Sequence, residues 1–268
     1  MTTRFLALAS SLVLSCLPCL ARAAERPPRI VVDPGHGGAQ EGAKGPGGLL
    51  EKDVSLQIAQ RVRDHLEKTL GAQVLLTRDE DESLALPERV AFSNRQRPDL
   101  FLSIHANSMP TRRTRARIHG VETYFLSASA SSAEARAAAD RENSDAPVAR
   151  EARGDSTLAL ILEDLQRTEA HADSSRLAYA IHPRLVAGSG GTDRGVHQAP
   201  FYVLSGVEAP AVLIEVGYIS HPEEGARLGR SAHQEQLATA IVEGVKAFLA
   251  EVRKREAPRP AVSAPASP

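Results

Sequence analysis

The chain has 268 residues, and its 32 Lys plus Arg against 33 Asp plus Glu leave a formal net charge of −1. That balance gives no bulk hold on a polyanion, so nucleic acid is not an expected partner. Both cysteines, Cys16 and Cys19, lie near the start, so a chain trimmed there has no thiol nucleophile, disulfide or thiolate metal ligand.

Residues 1–24 read as a secretory signal peptide. Arg4 precedes an uncharged, largely apolar run from Phe5 to Leu20, and small residues follow at Ala21, Ala23 and Ala24. The run is short for a spanning helix and Pro18 interrupts it. Cleavage near Ala23 or Ala24 would deliver the protein to the periplasm or cell envelope. The stretch Val13-Leu14-Ser15-Cys16 also loosely fits a lipoprotein box, which leaves lipid anchoring open.

Residues 28–255 are the expected folded domain. Strands are expected at Arg29–Asp33, Gln73–Thr77, Asp99–Ile104, Val121–Leu126, Phe201–Leu204 and Ala211–Val216. Between Glu51 and Leu70, Val54, Ile58, Val62, Leu66 and Leu70 recur every four residues as one helical stripe that Gly71 ends. Further helices fit Pro87–Gln96, Ser132–Asn143, Thr157–Arg167, Ser174–Val186 and His233–Arg255. This alternation predicts a single α/β domain, a mostly parallel or mixed sheet of about six strands with helices on both faces. The Pro-, Ala- and Ser-rich residues 256–268 read as a disordered tail.

Three strand-like runs each deliver a residue able to bind metal or move protons: RIVVDPGH brings His36, LFLSIH brings His105 and AVLIE brings Glu215. Ligands of open α/β sheets bind at the carboxyl ends of strands, where such residues converge. Glu51, opening the long helix after a glycine-rich loop, can reach the same edge. Two imidazoles and one carboxylate suit catalytic zinc, one ion per chain, with a position left for water. Glu215 is the candidate general acid/base. Its plainer alternative is a structural ion pair, with Arg194 as a partner. The spacings of a phosphate-binding glycine loop, of a GxSxG elbow and of HExxH are all absent.

The motifs VVDPGHGG, LLEKDVSL, TRDEDESLALPERV, DLFLSIHANS and VLIEVGYISHPEE, in that order from about Arg29 to Leu249, resemble the zinc-dependent N-acetylmuramoyl-L-alanine amidases of bacterial cell-wall turnover. The resemblance implies one α/β domain that cuts the amide between N-acetylmuramic acid and L-alanine in peptidoglycan. It implies His36, Glu51 and His105 as zinc ligands and Glu215 as the catalytic glutamate. Asn107 matches a motif residue expected to shape the site, and Arg89 and Asn94 are expected to serve the fold. The chain is expected to act as a monomer, with an activator protein linked to cell division as a further partner. A zinc peptidase or deacetylase, or a wall-binding module that kept the fold, stay open as alternatives.

Two departures stand out. Between Asn107 and Gly120 lies an Arg-rich stretch, MPTRRTRARIH, readable as a solvated loop or as a contact for acidic stem peptides or an anionic envelope polymer. The segment Asp140–Thr168 is similar in placement to an insertion that, in division-linked members, holds a helix over the site. Within it Glu163 or Asp164 could approach zinc, although a plain packed helix explains the same apolar stripe.

Overall fold

Alternating apolar residues sort each central strand onto two faces of one sheet. In the computed structural model, which describes residues 26–144, 146 and 169–256, the strands are β1 (Arg29–Pro34), β2 (Gln73–Leu76), β3 (Leu100–Asn107), β4 (Val121–Leu126), β5 (Asp193–Ala199) and β6 (Ala211–Tyr218). They form one six-stranded sheet in the order β2-β1-β3-β6-β4-β5. Neighbours from β2 to β6 are parallel, β4 runs antiparallel to β6, and β5 runs parallel to β4.

On one face, Ile30, Val32, Leu102, Ile104, Val212 and Ile214 pack against the stripe of α1 (Glu51–Leu70) and against α5 (Glu169–Ser189) and α7 (Ser231–Glu256). On the other, Val31, Phe101, Tyr124 and Leu213 meet Ala135, Ala138 and Ala139 of α4 (Ala133–Glu142), with Val90 and Phe92 of α2 (Leu86–Gln96) packed alongside. Both faces are therefore covered, as the α/β alternation predicts. Gly71, left-handed at φ 59°, closes α1 through an N–H to Glu67 O bond.

One element differs from the sequence expectation. Phe201–Leu204 is not a strand: Tyr202–Leu204 is a 3-10 turn, and the outer strand is Asp193–Ala199. The reason is burial. Phe201, Val203 and Leu204 fill the core on the α4 face, whereas the polar DRGVHQA run is only half-buried, which an edge strand tolerates. A short helix α3 (Arg112–Arg115) lies within the Arg-rich stretch readable as a solvated loop, and a further helix, α6 (Pro222–Leu228), follows β6 where no element was assigned. The leader, the Thr157–Arg167 helix with Glu163 and Asp164, and residues 257–268 fall outside the described residues. Among those described, no helix is long and apolar enough to cross a membrane.

The turn that leaves β1 is held by two buried arginines. Arg89 Nη1 donates to Asp33 Oδ1 at 2.8 Å and to Pro34 O at 2.7 Å, and its Nη2 donates to His36 O at 2.6 Å. Arg78 adds bonds to the carbonyls of Pro34 and Gly35. Burial alone would push the Asp33 carboxyl up, but the Arg89 charge and hydrogen bonds from Thr77, Arg89 and Ser103 bring it below its ordinary value. Arg89→Ala would leave that carboxylate buried without its cation, so we expect a loss of about 3–5 kcal/mol in urea unfolding. Because the folded pKa is the lower one, the wild-type contribution is complete above the unfolded pKa and fades as pH falls toward the folded value. A loss below about 1 kcal/mol, the size of a surface pair, would refute this account.

Candidate metal centre

Strand parity puts Asp33, Ser103, His105 and Glu215 on one face of the sheet, the face that α4 covers. Asp33 and Ser103 satisfy each other at 2.8 Å. His105 and Glu215 lie side by side in register on β3 and β6. Beyond β1 the backbone turns sharply, and His36 takes φ 59°, a left-handed conformation that a non-glycine residue adopts only when its surroundings hold it. Arg89 and Arg78 provide that hold. A Cβ on Gly35 would sit 2.3 Å from the His105 ring, so only glycine lets the imidazole lie against this turn.

Glu51 is the first residue of α1, where the helix dipole favours a carboxylate. Its Oε2 accepts from Ala43 N at 2.8 Å and its Oε1 from Ala106 N at 3.0 Å. A Cβ on Gly42 would strike both Glu51 Oε2 and the His36 ring at 2.7 Å. Glu51 Oε1 then stands 3.1 Å from His36 Nε2 and 3.1 Å from His105 Nδ1. Sequence-derived His36, Glu51 and His105 thus meet at one point.

A fourth group meets them there. Glu142 Oε2 lies 3.2 Å from His36 Nε2 and 3.0 Å from His105 Nδ1, and one donor atom from each of the four residues falls within 4.8 Å of the rest. Sequence reasoning looked for such a carboxylate at Glu163 or Asp164 and overlooked Glu142, although a signal existed. Ala135, Ala138 and Ala139 form the buried face of α4, and Glu142 falls at the i+3 and i+4 positions of that face, so its side chain must turn toward the sheet.

This donor set fits a metal cation. Burial lowers the basicity of His36, but Glu51 and Glu142 outweigh it and raise its pKa to about 10, so a proton is drawn to the place of positive charge. Burial likewise pushes Glu142 up, yet His105 and His36 bring it to about 2 against the opposing charge of Glu51. His36 Nε2 and Glu142 Oε2 are sealed from solvent and make no hydrogen bond of sound geometry despite their closeness. Atoms so placed aim at a common point between them. Two carboxylates and two imidazoles around that point call for a cation, and the set with two imidazoles is one that zinc takes.

Glu215 differs from these four. It is fully buried and neither carboxyl oxygen has a hydrogen-bond partner. Burial first, then the charge of Glu142, raises its pKa well above the carboxylate range, with Glu51 and Glu122 adding to the shift and His105 opposing it. Arg194 does not neutralise it. That guanidinium pairs with Glu122 at 2.7 Å and lies 5.4 Å over the Tyr218 ring. The buried Glu122 carboxylate also accepts from Asn107 Nδ2, Tyr124 OH and Tyr218 OH at 2.8–3.0 Å. Asn107 Oδ1 accepts from Arg141 of α4 at 2.8 Å, tying the helix to the end of β3. His221 caps α6, its Nδ1 accepting from Glu224 N, and is no part of the cluster.

Comparisons with known proteins bear on this arrangement. Residues 30–247 match the family model described as N-acetylmuramoyl-L-alanine amidase. The chain is 37% identical over 223 residues to the amidase AmiA of Escherichia coli K12, spanning 82% of this chain and 75% of that one. It is 35% identical over 229 residues to AmiC of Escherichia coli O6:H1, spanning 85% of this chain but only about half, 54%, of that relative's length. The solved amidase AmiC2 of Nostoc punctiforme superposes with a TM-score of 0.61 at 33% identity, covering 83% of this chain and 97% of that one. With the match running through β1 and the turn after it, α1, β3 and β6, which carry His36, Glu51, His105 and Glu215, the chain belongs to the N-acetylmuramoyl-L-alanine amidase family.

Proposed function

We propose that this protein is an exported, zinc-dependent amidase that cleaves the bond between the lactyl group of N-acetylmuramic acid and the first L-alanine of the peptidoglycan stem. The observation that carries the reading is the buried meeting of His36, Glu51 and His105 beside the unpaired carboxyl of Glu215. His36, Glu51 and His105 would hold one zinc ion per chain. When bound, zinc supplies a Lewis acid that polarises the scissile carbonyl and acidifies water. Glu215, one strand from His105, takes a proton from the attacking water and returns it to the alanine nitrogen as the C–N bond breaks. Its buried setting favours the protonated form, which suits the donating half of that cycle. Asn107 and Arg194, bound to Glu122, fix the ends of β3 and β5 around the site.

The site as folded is closed. The space beside His36, His105 and Glu142 amounts to about 20 Å3, room for one water and not for a glycopeptide. Glu142 stands where a substrate or water oxygen would enter, so we read α4 as a plug that an activator protein withdraws. The leader at 1–24 would place the enzyme in the periplasm or envelope, where the wall is.

Digestion of purified sacculi tests this directly, using the full chain and its Glu142→Ala variant with added zinc. Mass spectrometry should find stem peptides with a free L-alanine amine, and glycan strands left whole. A chelator should abolish the release and zinc should restore it. Deacetylated sugars, or cuts between stem amino acids, would refute the bond assignment.

A further inference from the structure

A charged rim borders the same sheet edge, outside the metal centre. The chain leaves β3 two residues after His105 and enters the Arg-rich stretch. This stretch is ordered, not a loose loop. Thr111 caps α3 and exchanges hydrogen bonds with Thr114, Arg115 Nε donates to Met109 O at 2.6 Å, and Met109 N donates to Ser220 Oγ just past β6 at 2.9 Å. The anchoring leaves Arg112, Arg113, Arg115 and Arg117 exposed. His119 then meets His221 of the α6 cap with ring centroids 5.0 Å apart at a 55° tilt, and its Nδ1 lies 3.2 Å from Thr192 Oγ1.

Beside His119, past the end of the Arg-rich stretch, lies a groove of about 720 Å3 lined by His119, Thr192, Glu223, Glu224, Arg227 and Arg230 among others. Its carboxylates do not cancel its cations. Glu224 is buried and spent on the backbone N–H groups of Gly120 and Tyr218, which leaves Arg227 3.6 Å away as its weak partner. Arg227 Nε has no hydrogen-bond partner at all. Among the described residues, Arg112, Arg113, Arg117 and Arg230 have no carboxylate within ion-pair distance. In the groove lining the carboxylates are Glu223 and the buried Glu224. A near-neutral chain thus carries Arg112, Arg113, Arg117 and Arg230 without carboxylate partners at the sheet edge that also carries His105.

We infer that this arginine rim, Arg112, Arg113 and Arg117 on the stretch after β3 with Arg230 in the adjoining groove, binds the carboxylates of peptide stems neighbouring the one being cut, so that the enzyme grips the polymer and not merely the scissile unit. Guanidinium is suited to this because its planar fork meets a carboxylate with two bonds. The inference rests on the reading of the chain as a peptidoglycan amidase.

The test separates grip from cutting. Binding to purified sacculi is measured by co-sedimentation in the hydrolysis-deficient Glu215→Gln chain, with and without Arg112→Gln, Arg113→Gln, Arg117→Gln and Arg230→Gln together. Sacculus affinity should fall by about tenfold at low salt, with the difference shrinking as salt rises. The corresponding Arg→Lys set should retain most of the binding, which guards against a folding defect. Sacculi whose stem carboxylates have been amidated should bind the unsubstituted chain as weakly as native sacculi bind the Gln set. In the cutting-competent background, release of L-alanine termini from a short soluble muropeptide should be unchanged by the Gln set. Equal sacculus binding by the Gln set overturns the inference, as does a loss confined to anionic phosphatidylglycerol vesicles, which would make the rim a membrane contact. If no chain releases L-alanine termini from any substrate, the amidase reading fails instead, and the binding result stands apart from it.

Discussion

Glu215→Gln is expected to lower amide hydrolysis by about 10²–10⁴-fold, the usual weight of a positioned general acid/base, while zinc binding stays at the wild-type level. The two halves of that expectation come from different features. Glu215 is absent from the four-donor cluster, so removing its charge leaves every donor in place. Its carboxyl nonetheless lies fully buried beside His105, with both oxygens free of hydrogen bonds. An unpartnered buried carboxylate costs a fold several kcal/mol, and burial accordingly raises the Glu215 pKa well above the carboxylate range. Such a group has no structural purpose to lose. Gln keeps the volume and removes the proton, so the thermal midpoint should not drop. Zinc titration by calorimetry, melting and turnover on muropeptide, measured on one preparation, decide the matter. Retained turnover, or lost zinc, would end the assignment. His36→Ala gives the contrasting pattern, with metal and activity lost together.

The sequence made the parts of this site legible to unequal degrees, for physical reasons. His36, His105 and Glu215 could be singled out because each ends or interrupts an apolar strand run, where a polar group is conspicuous. The same argument reaches Glu122 in VETYFL, whose carboxylate proves to be the hub for Asn107, Arg194, Tyr124 and Tyr218. Arg194 is a candidate partner for Glu215 by sequence alone, but sequence order cannot say which of two buried glutamates in adjacent antiparallel strands a cation from β5 will meet. Geometry decides for Glu122, because β4 and not β6 neighbours β5. Asp193–Ala199 escaped as a strand since an edge strand need not be apolar. Phe201–Leu204 imitated one since a buried turn can be as apolar as a strand. The long α1 stripe was read to its end residues because four-residue spacing over five turns has no other reading.

Glu142→Ala is expected to raise hydrolysis of sacculi by about 10–150-fold in the absence of any partner while weakening zinc binding. Glu142 forms ion-pair contacts with both His36 and His105 at 3.0–3.2 Å, and a coupling of about 1.5–3 kcal/mol between those contacts and the closed arrangement corresponds to that range. Helix α4 adds clasps of its own: Arg141 donates to Asn107 Oδ1, and Asn143 at its C-terminus joins Pro200 O and Tyr202 N at 2.7 Å. If α4 is the plug proposed above, its withdrawal competes with several bonds at once, and the open fraction and the activity without a partner should both be small. Removing only the carboxylate leaves those clasps and the alanine packing, so Arg141→Ala combined with Glu142→Ala should release more activity than either change alone. The opposite signs are what make the experiment decisive. A group that is both donor and plug lowers metal affinity and raises turnover when it is removed, whereas a working ligand lowers both. If Glu142→Ala binds zinc less tightly and also cuts more slowly, α4 completes the active centre, and the closed site is the competent one.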